Sequence, residues 1–363
     1  MKLNWKKTIQ AALTLILIGW ATPVLSSPAH ILIDVRGNVQ VKKSQWKDFI
    51  QAESGILLSS EDEIKLGSNS SVKVYCSDRN KWVLEEPGTY LVSQGCPEGE
   101  AVIRLCPDCN NPGGRFPTIK EEKLKELPYL ISPRNTNVFN EPLTIRWNKV
   151  FGATSYTVKV EGEEEEWEKE TNETQILYDG KLEPGEYYTV TVLADNGATS
   201  AQEDERQDLW FIVLEDQEAK TLREQVAVIK QQGLSQEQEG LTLAYFYRQN
   251  ELNFEAIQVL EGLVKSRSQI ATVYQLLGDI YRQVGLSLMA KEVYQQGLAL
   301  TVEEEKSEVK AMMQLGLGLV EYVLGNRNEA VEWLEKARVN YLVLGKRLNK
   351  EDKELIDEVL GGN

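Results

Sequence analysis

The chain has 363 residues, 40 of them Lys or Arg and 56 Asp or Glu, for a formal charge of −16 at pH 7. At about 100–200 residues per domain there is room for two or three domains, each able to bury its own core, and the acidic surplus sets the protein's field against a phosphate backbone, so nucleic acid is not an expected partner. A single histidine, His30, leaves nothing for His-dependent hydrolase triads, Cys/His proteases or His-ligated zinc, and no carboxylate pair stands out by spacing, so neither a catalytic residue nor a cofactor or metal is expected.

Residues 1–29 read as a leader. Lys2, Lys6 and Lys7 precede the apolar run from Ala11 to Trp20, and the small residues Ala21, Ser26, Ser27 and Ala29 follow, the order of a secretory signal. An uncleaved anchor is the alternative, since the stretch from Thr8 to Leu25 nearly spans a bilayer, but Pro23 and the small-residue end favour cleavage near Ser26 or Ala29. No cysteine precedes Cys76, which argues against a lipid-anchored leader. Losing three lysines takes the charge to −19, which repels an anionic membrane surface. A periplasmic or secreted protein, not inserted in a membrane after leader removal, is expected.

The four cysteines, Cys76, Cys96, Cys106 and Cys109, cluster in one stretch, which in an oxidising compartment reads as two disulfides. Of three pairings, Cys76–Cys96 with Cys106–Cys109 is favoured, because the second pair is too close in sequence for both members to reach distant partners easily. A four-thiolate zinc site needs paired C-x2-C knuckles and only one is present. A redox-active C-x-x-C needs a helix N-terminus, whereas Asn110 to Gly114 reads as a loop.

From Ile31 to about Tyr90, short alternating β-branched runs are separated by Gly, Asn and Ser, which predicts an all-β unit within residues 30–116. The run from Gly37 to Asp78, with Gly37, Trp46, Gly55, Leu57, Asp62, Ile64, Gly67 and Ser71 at the expected places, resembles the FecR-type domain of bacterial envelope proteins. That resemblance implies a small β roll of structural or signalling use. Glu61 stands where the family usually has Gly. Asp62 and Asp78 read as turn residues that bond nearby backbone.

Residues 117–128 change composition and read as a charged linker. Strands then recur at sandwich-like spacing over 129–214. Trp147, Tyr156 and the run from Leu182 to Val192 resemble a fibronectin type III or related immunoglobulin-like domain, with Leu182, Pro184 and Tyr188 at tyrosine-corner spacing. Trp147 and Tyr188 are expected in the core. Glu163 to Glu166 read as a solvated hairpin, since no spaced Asp/Asn/Gly calcium loop accompanies them.

After Glu215 the apolar period changes from two to about 3.6, predicting a helical domain over 215–361. Leu243, Ala244, Tyr247, Ala256 and Leu260 recur 34 residues later as Leu277, Gly278, Tyr281, Ala290 and Tyr294. A third copy, with Leu317, Gly318, Gly325, Ala330, Leu334 and Ala337, is offset by 40. The pattern resembles tetratricopeptide repeats at about 237–270, 271–304 and 311–344, with Glu321 where Tyr is usual. The fold class expected is multidomain β plus α: a FecR-like β roll, a β-sandwich, then a tetratricopeptide solenoid.

Stacked helix pairs make a concave face lined by one side of each first helix. Tyr245, Arg248, Gln275, Asp279, Arg282, Leu319 and Tyr322 fall there and are the candidate partner-binding residues, Arg248 and Arg282 being aligned one repeat apart. Aromatics and arginines are the types that dominate protein interfaces, so the expected function is a non-catalytic envelope scaffold or adaptor that holds a protein or peptide. The alternative is envelope signalling, or cell-wall or carbohydrate binding, through the FecR-like domain, using tryptophans such as Trp46, Trp82 and Trp167 if they are exposed.

Overall fold

The computed structural model describes residues 29–78, 80–97, 120–163, 166–202, 209–301 and 307–345, together with 353, 356, 357 and 359. Residues 1–28 of the expected leader and the pair Cys106 and Cys109 lie outside the described residues. Strands occupy the N-terminal part and helices the C-terminal part, so the chain is a mixed β plus α protein.

The first unit contains β1 (His30–Arg36), β2 (Val39–Lys42), β3 (Ile50–Gln51), β4 (Leu57–Leu58), β5 (Glu63–Leu66), β6 (Ser71–Tyr75), β7 (Lys81–Leu84) and β8 (Gly88–Leu91). They form two four-stranded antiparallel sheets, in the orders β4-β1-β6-β7 and β3-β2-β5-β8. Period-two alternation sends Val39, Val41, Ile64, Leu66, Val72 and Val74 inward. Gly37, with φ +75°, carries the chain from the first sheet to the second, and a Cβ there would lie 2.7 Å from Ser70 Oγ. Asp62 is buried and accepts the Ser44 and Ser59 N–H groups at 3.0 and 2.8 Å, the backbone-bonding role its sequence context suggests. The Cys76–Cys96 disulfide joins the end of β6 to the segment after β8, and so staples one sheet to the other.

The short helix α1 (Glu121–Lys125) lies within the charged linker. The second unit follows: β9 (Leu130–Ser132), β10 (Thr136–Val138), β11 (Leu143–Trp147), β12 (Tyr156–Glu161), β13 (Glu166–Thr171), β14 (Gln175–Tyr178), β15 (Tyr187–Ala194) and β16 (Trp210–Val213). A five-stranded sheet, β10-β16-β15-β12-β13, accompanies a three-stranded one, β14-β11-β9. The second unit's core holds Trp147, edge-on to Tyr156, and Tyr188, stacked on Phe211. The Tyr188 hydroxyl accepts the Glu183 N–H at 2.9 Å and returns the ring to backbone five residues upstream.

The helices are α2 (Asp216–Lys230), α3 (Gln236–Gln249), α4 (Asn253–Lys265), α5 (Ala271–Gln283), α6 (Ser287–Ala299), α7 (Glu308–Val323) and α8 (Arg327–Leu344). From α3 onward they pack as successive hairpins. Ser235 and Ser307 cap α3 and α7 by accepting the N–H of Gln238 and Lys310. The hairpin turns repeat one conformation, with Glu251, Gly285 and Gly325 at φ +58°, +82° and +81°. A side chain in this left-handed region is strained, so Glu251→Gly is expected to raise stability by about 0.5 kcal/mol, after the unfolded chain's added freedom is subtracted. Urea midpoints of the two proteins check this; a lower midpoint for the variant would contradict it.

Apolar side chains of the first unit and of the helices form one continuous core, to which the second unit adds Tyr129, Phe139 and Leu214, whereas the rest of the second unit has its own core, joined from the helices by Phe254. The second unit docks on the helix ends. Asn137 N–H and the Thr136 hydroxyl meet the Glu251 carbonyl, Arg134 Nε donates to the Val284 carbonyl at 2.5 Å, and the Tyr129 hydroxyl donates to the Gly285 carbonyl at 2.8 Å. At the same seam Glu255 takes the Phe139 N–H at 3.4 Å through Oε1, while its buried Oε2 has no hydrogen-bond partner. Burial pushes this carboxyl up to about 8 from 4.5.

Stability should therefore respond to pH at this seam. Below about 4.5 Glu255 is neutral in both states, and as pH rises toward 8 the unfolded chain ionises while the folded one resists. Folding then loses on the order of a few kcal/mol across that window and nothing further above it. Glu255→Gln is expected to flatten this slope. Urea midpoints at pH 5.5 and 9 measure it, and equal slopes for variant and parent would refute the assignment.

Candidate functional site

The first helices of the three hairpins, α3, α5 and α7, carry the candidate residues on neighbouring faces. Leu241, Leu243, Phe246, Leu276, Leu277 and Leu317 pack into the core and set the rotation of these helices. Small residues sit where the second helix of a pair crosses: a Cβ on Gly318 would lie 2.6 Å from Leu334 and one on Gly278 2.5 Å from Tyr294. The Tyr294 ring also meets α7, since a Cβ on Gly316 would lie 2.4 Å from it. One aromatic thus wedges between two successive hairpins.

The structure brings four of the seven candidates into one polar cluster and corrects their accessibility. Arg248, Gln275 and Asp279 are buried. Arg248 Nη1 stands 3.7 Å from Asp279 Oδ2, Gln275 Nε2 donates to the same oxygen at 2.5 Å, and the Tyr294 hydroxyl donates to Asp279 Oδ1 at 2.6 Å. Arg282, half-buried, also acts on the Tyr294 hydroxyl, opposing the rise in its pKa. Burial raises the Tyr294 phenol well above its usual range, with Asp279 reinforcing the shift, and it lowers Arg248, with Asp279 opposing. Arg248, expected to meet a partner's carboxylate, meets one of this chain's own. Removing it would take an ion-pair partner from the buried Asp279, so Arg248 is structural in this arrangement. Leu319 is buried and Tyr322 half-buried on α7, apart from the cluster.

Tyr245 explains what covers this face. Its hydroxyl donates to the Gly55 carbonyl of the first β unit at 3.0 Å, and the Thr272 hydroxyl donates to the adjacent Ser54 carbonyl at 2.9 Å. Gly55, at φ +89°, fits so closely that a Cβ there would lie 3.0 Å from both Leu241 and Thr272. Gln238 Nε2 reaches the Ile33 carbonyl at 2.7 Å, and Lys43 pairs with the buried Glu308 at 2.5 Å. The inner face of the helices is therefore occupied by the chain's own N-terminal unit. Sequence reasoning missed Lys43, Ser54, Gln238, Thr272 and Glu308, because each has an ordinary local context and acquires its role only across domains. The turn signal at Gly55 was visible; its destination was not.

Beside this seam, Lys291 links Glu121 of α1, at 3.0 Å, to the buried Glu321, at 3.1 Å. Asn326 Nδ2 also donates to Glu321 at 2.7 Å, so this buried carboxylate is engaged by both a cation and an amide. Hydrogen bonds from Lys125 and Lys291 lower Glu121 to about 2.

Two other expectations bear on function. Trp46 and Trp167 are buried and Trp82 is half-buried against Tyr90, so these tryptophans do not form the exposed platform that a sugar-binding reading requires. His30, Cys76 and Cys96 do come together, their ligand atoms lying within 4.8 Å of one another. The sulfurs are joined as a disulfide, and His30 Nδ1 accepts the Ser77 N–H at 3.0 Å while Nε2 faces Ser60 Oγ at 3.3 Å. Burial lowers the His30 pKa, against the pull of Asp78 and Asp62, which favours the neutral ring in this inter-sheet corner. No helix among the described residues is long and apolar enough to cross a membrane. A search of protein-family models and a search of curated proteins each found no match.

Proposed function

We propose that this protein is a non-catalytic scaffold or adaptor of the cell envelope, in which tetratricopeptide-type hairpins, a FecR-like β unit and a fibronectin-like sandwich are combined to hold another protein. The observation that carries this reading is the use to which the helical face is put: side chains of α3, α5 and α7 grip backbone carbonyls and a lysine of a separate β unit. A surface that already seats a folded protein module has the chemistry of a protein-binding face.

The reading is tested in cells with a photo-crosslinking amino acid placed at Tyr322 on α7, at Val83 in the first β unit, or at Phe151, which is 94% exposed on the sandwich. A discrete protein adduct at position 322 is expected. Adducts at position 83 alone would move recognition to the first β unit, and the absence of an adduct at all three positions would overturn the scaffold reading.

A further inference from the structure

The covered face has an unusual composition for a permanent seam. Tyr245, which touches Gly55, lies in the field of Arg248, Asp279 and Glu308, and Glu308 itself holds Lys43. Two carboxylates and an arginine are thus buried beside the junction between the two units, with a lysine at its edge. Burying ion pairs gains little over apolar packing of the same shape, because each charge must be stripped of water. An interface made only for stability has no need of them, whereas a surface that meets water or a polar partner in a second state does. The polar contacts around the turn are of a reversible kind, beside the apolar core that the two units share. They include side-chain hydrogen bonds to main-chain carbonyls of the first unit from Tyr245, Thr272 and Gln238, one from Lys81 to the Gln232 carbonyl, and one ion pair.

The geometry points to the Ser54–Gly55 turn as an internal ligand of the helical face, seated where a partner protein would bind and displaced when that partner presents a comparable glycine-containing turn. This rests on the proposed reading of the repeats as a protein-binding unit and adds its regulation. Recognition through main-chain carbonyls, with a glycine needed for close approach, selects backbone shape over side-chain sequence. A competing turn therefore needs two successive outward carbonyls, a small residue at the second, and a cation placed to reach Glu308.

The test uses the full chain and does not need the natural partner. Lys43→Glu sets like charges against each other at the ion pair, and Lys43→Glu with Glu308→Lys restores opposite charges in reversed order. A milder variant, Tyr245→Phe with Thr272→Val, removes the two hydrogen bonds to the turn while keeping the shape of the face. Hydrogen exchange of α3 and α5 is compared with that of β12 and β15, and each protein is titrated with a cyclic peptide carrying residues 52–57. Both opening variants are expected to exchange at least tenfold faster in α3 and α5 with the sandwich unchanged, and to bind the peptide at least tenfold more tightly than the parent. The charge-swapped protein should return toward parental behaviour. Unchanged exchange in both variants, acceleration of every element alike, or failure of the opened face to bind the peptide would each overturn the proposal. The exchange measurement reports detachment of the β unit whether or not a cellular partner exists, so its failure is distinguishable from that of the scaffold reading.

Discussion

Gly278→Leu is expected to destabilise the helical domain by about 3 kcal/mol, at the upper end of what overpacking costs. Even the Cβ would stand 2.5–2.9 Å from three atoms of the Tyr294 ring. That ring has nowhere to retreat: it is fully buried, Gly316 of α7 lies against it, and its hydroxyl is held by Asp279 at 2.6 Å. Tilting it away would strand the carboxylate that also serves Arg248 and Gln275. Gly262→Ala is the matched control, because a Cβ there meets nothing within 4 Å on the exposed side of α4. It should raise stability by about 0.5–1 kcal/mol through helix propensity alone. Thermal unfolding followed by helical circular dichroism separates the two. A leucine variant that melts like the parent would mean that the Tyr294 wedge is misplaced.

Loss of the Cys76–Cys96 bridge should cost about 3 kcal/mol, through the freedom regained by an unfolded loop spanning 20 residues of sequence separation. Both cysteines are buried between the two sheets of the first unit, so the reduced pair or a Cys76→Ala, Cys96→Ala double variant also loses packing at that corner. The first unit shares its core with the helices, and the loss should reach them. The second unit, with most of its core its own, should be largely spared. Calorimetry is then expected to show one transition moving to lower temperature and a second staying in place. Movement of both together, or of neither, would contradict the division of the two cores.

Local periodicity made most of the elements legible. Val39, Val41, Ile64 and Leu66 alternate inward in the structure as their spacing suggests, and Ala244, Gly278 and Gly318 mark the helix crossings because only small side chains fit there. The Cys76–Cys96 pairing was readable from the count and clustering of the cysteines, and the bonds of the Tyr188 hydroxyl to the Glu183 N–H and of Asp62 to the Ser59 N–H from residues three to five positions away. The face of the helices was readable but its state was not. Nothing around Arg248 distinguishes an arginine awaiting a partner from one tied to Asp279 beneath another domain. Likewise Trp46 and Trp167 resemble surface tryptophans in their polar sequence contexts and are buried, Trp167 edge-on to Tyr178 of the following strand. Cross-domain burial has no period, and a single sequence carries no signal for it.

The ion pair between Lys43 and Glu308 spans 265 residues of sequence, and this has a consequence for how the protein is made. Whether the chain emerges from the ribosome, at roughly 5–20 residues per second, or afterwards from an export channel, the β strands precede the helical face that will cover them, by about 15–50 seconds in the first case. Those strands form quickly on that timescale, so the first unit waits with the Ser54–Gly55 turn and its surrounding apolar face open to solvent and to other nascent chains. The second unit, with most of its core its own, is delivered in the interval. The nascent chain therefore has a defined window of aggregation risk that closes only when α3, α5 and α7 arrive, and a holding chaperone would find its binding surface on the N-terminal unit during that window.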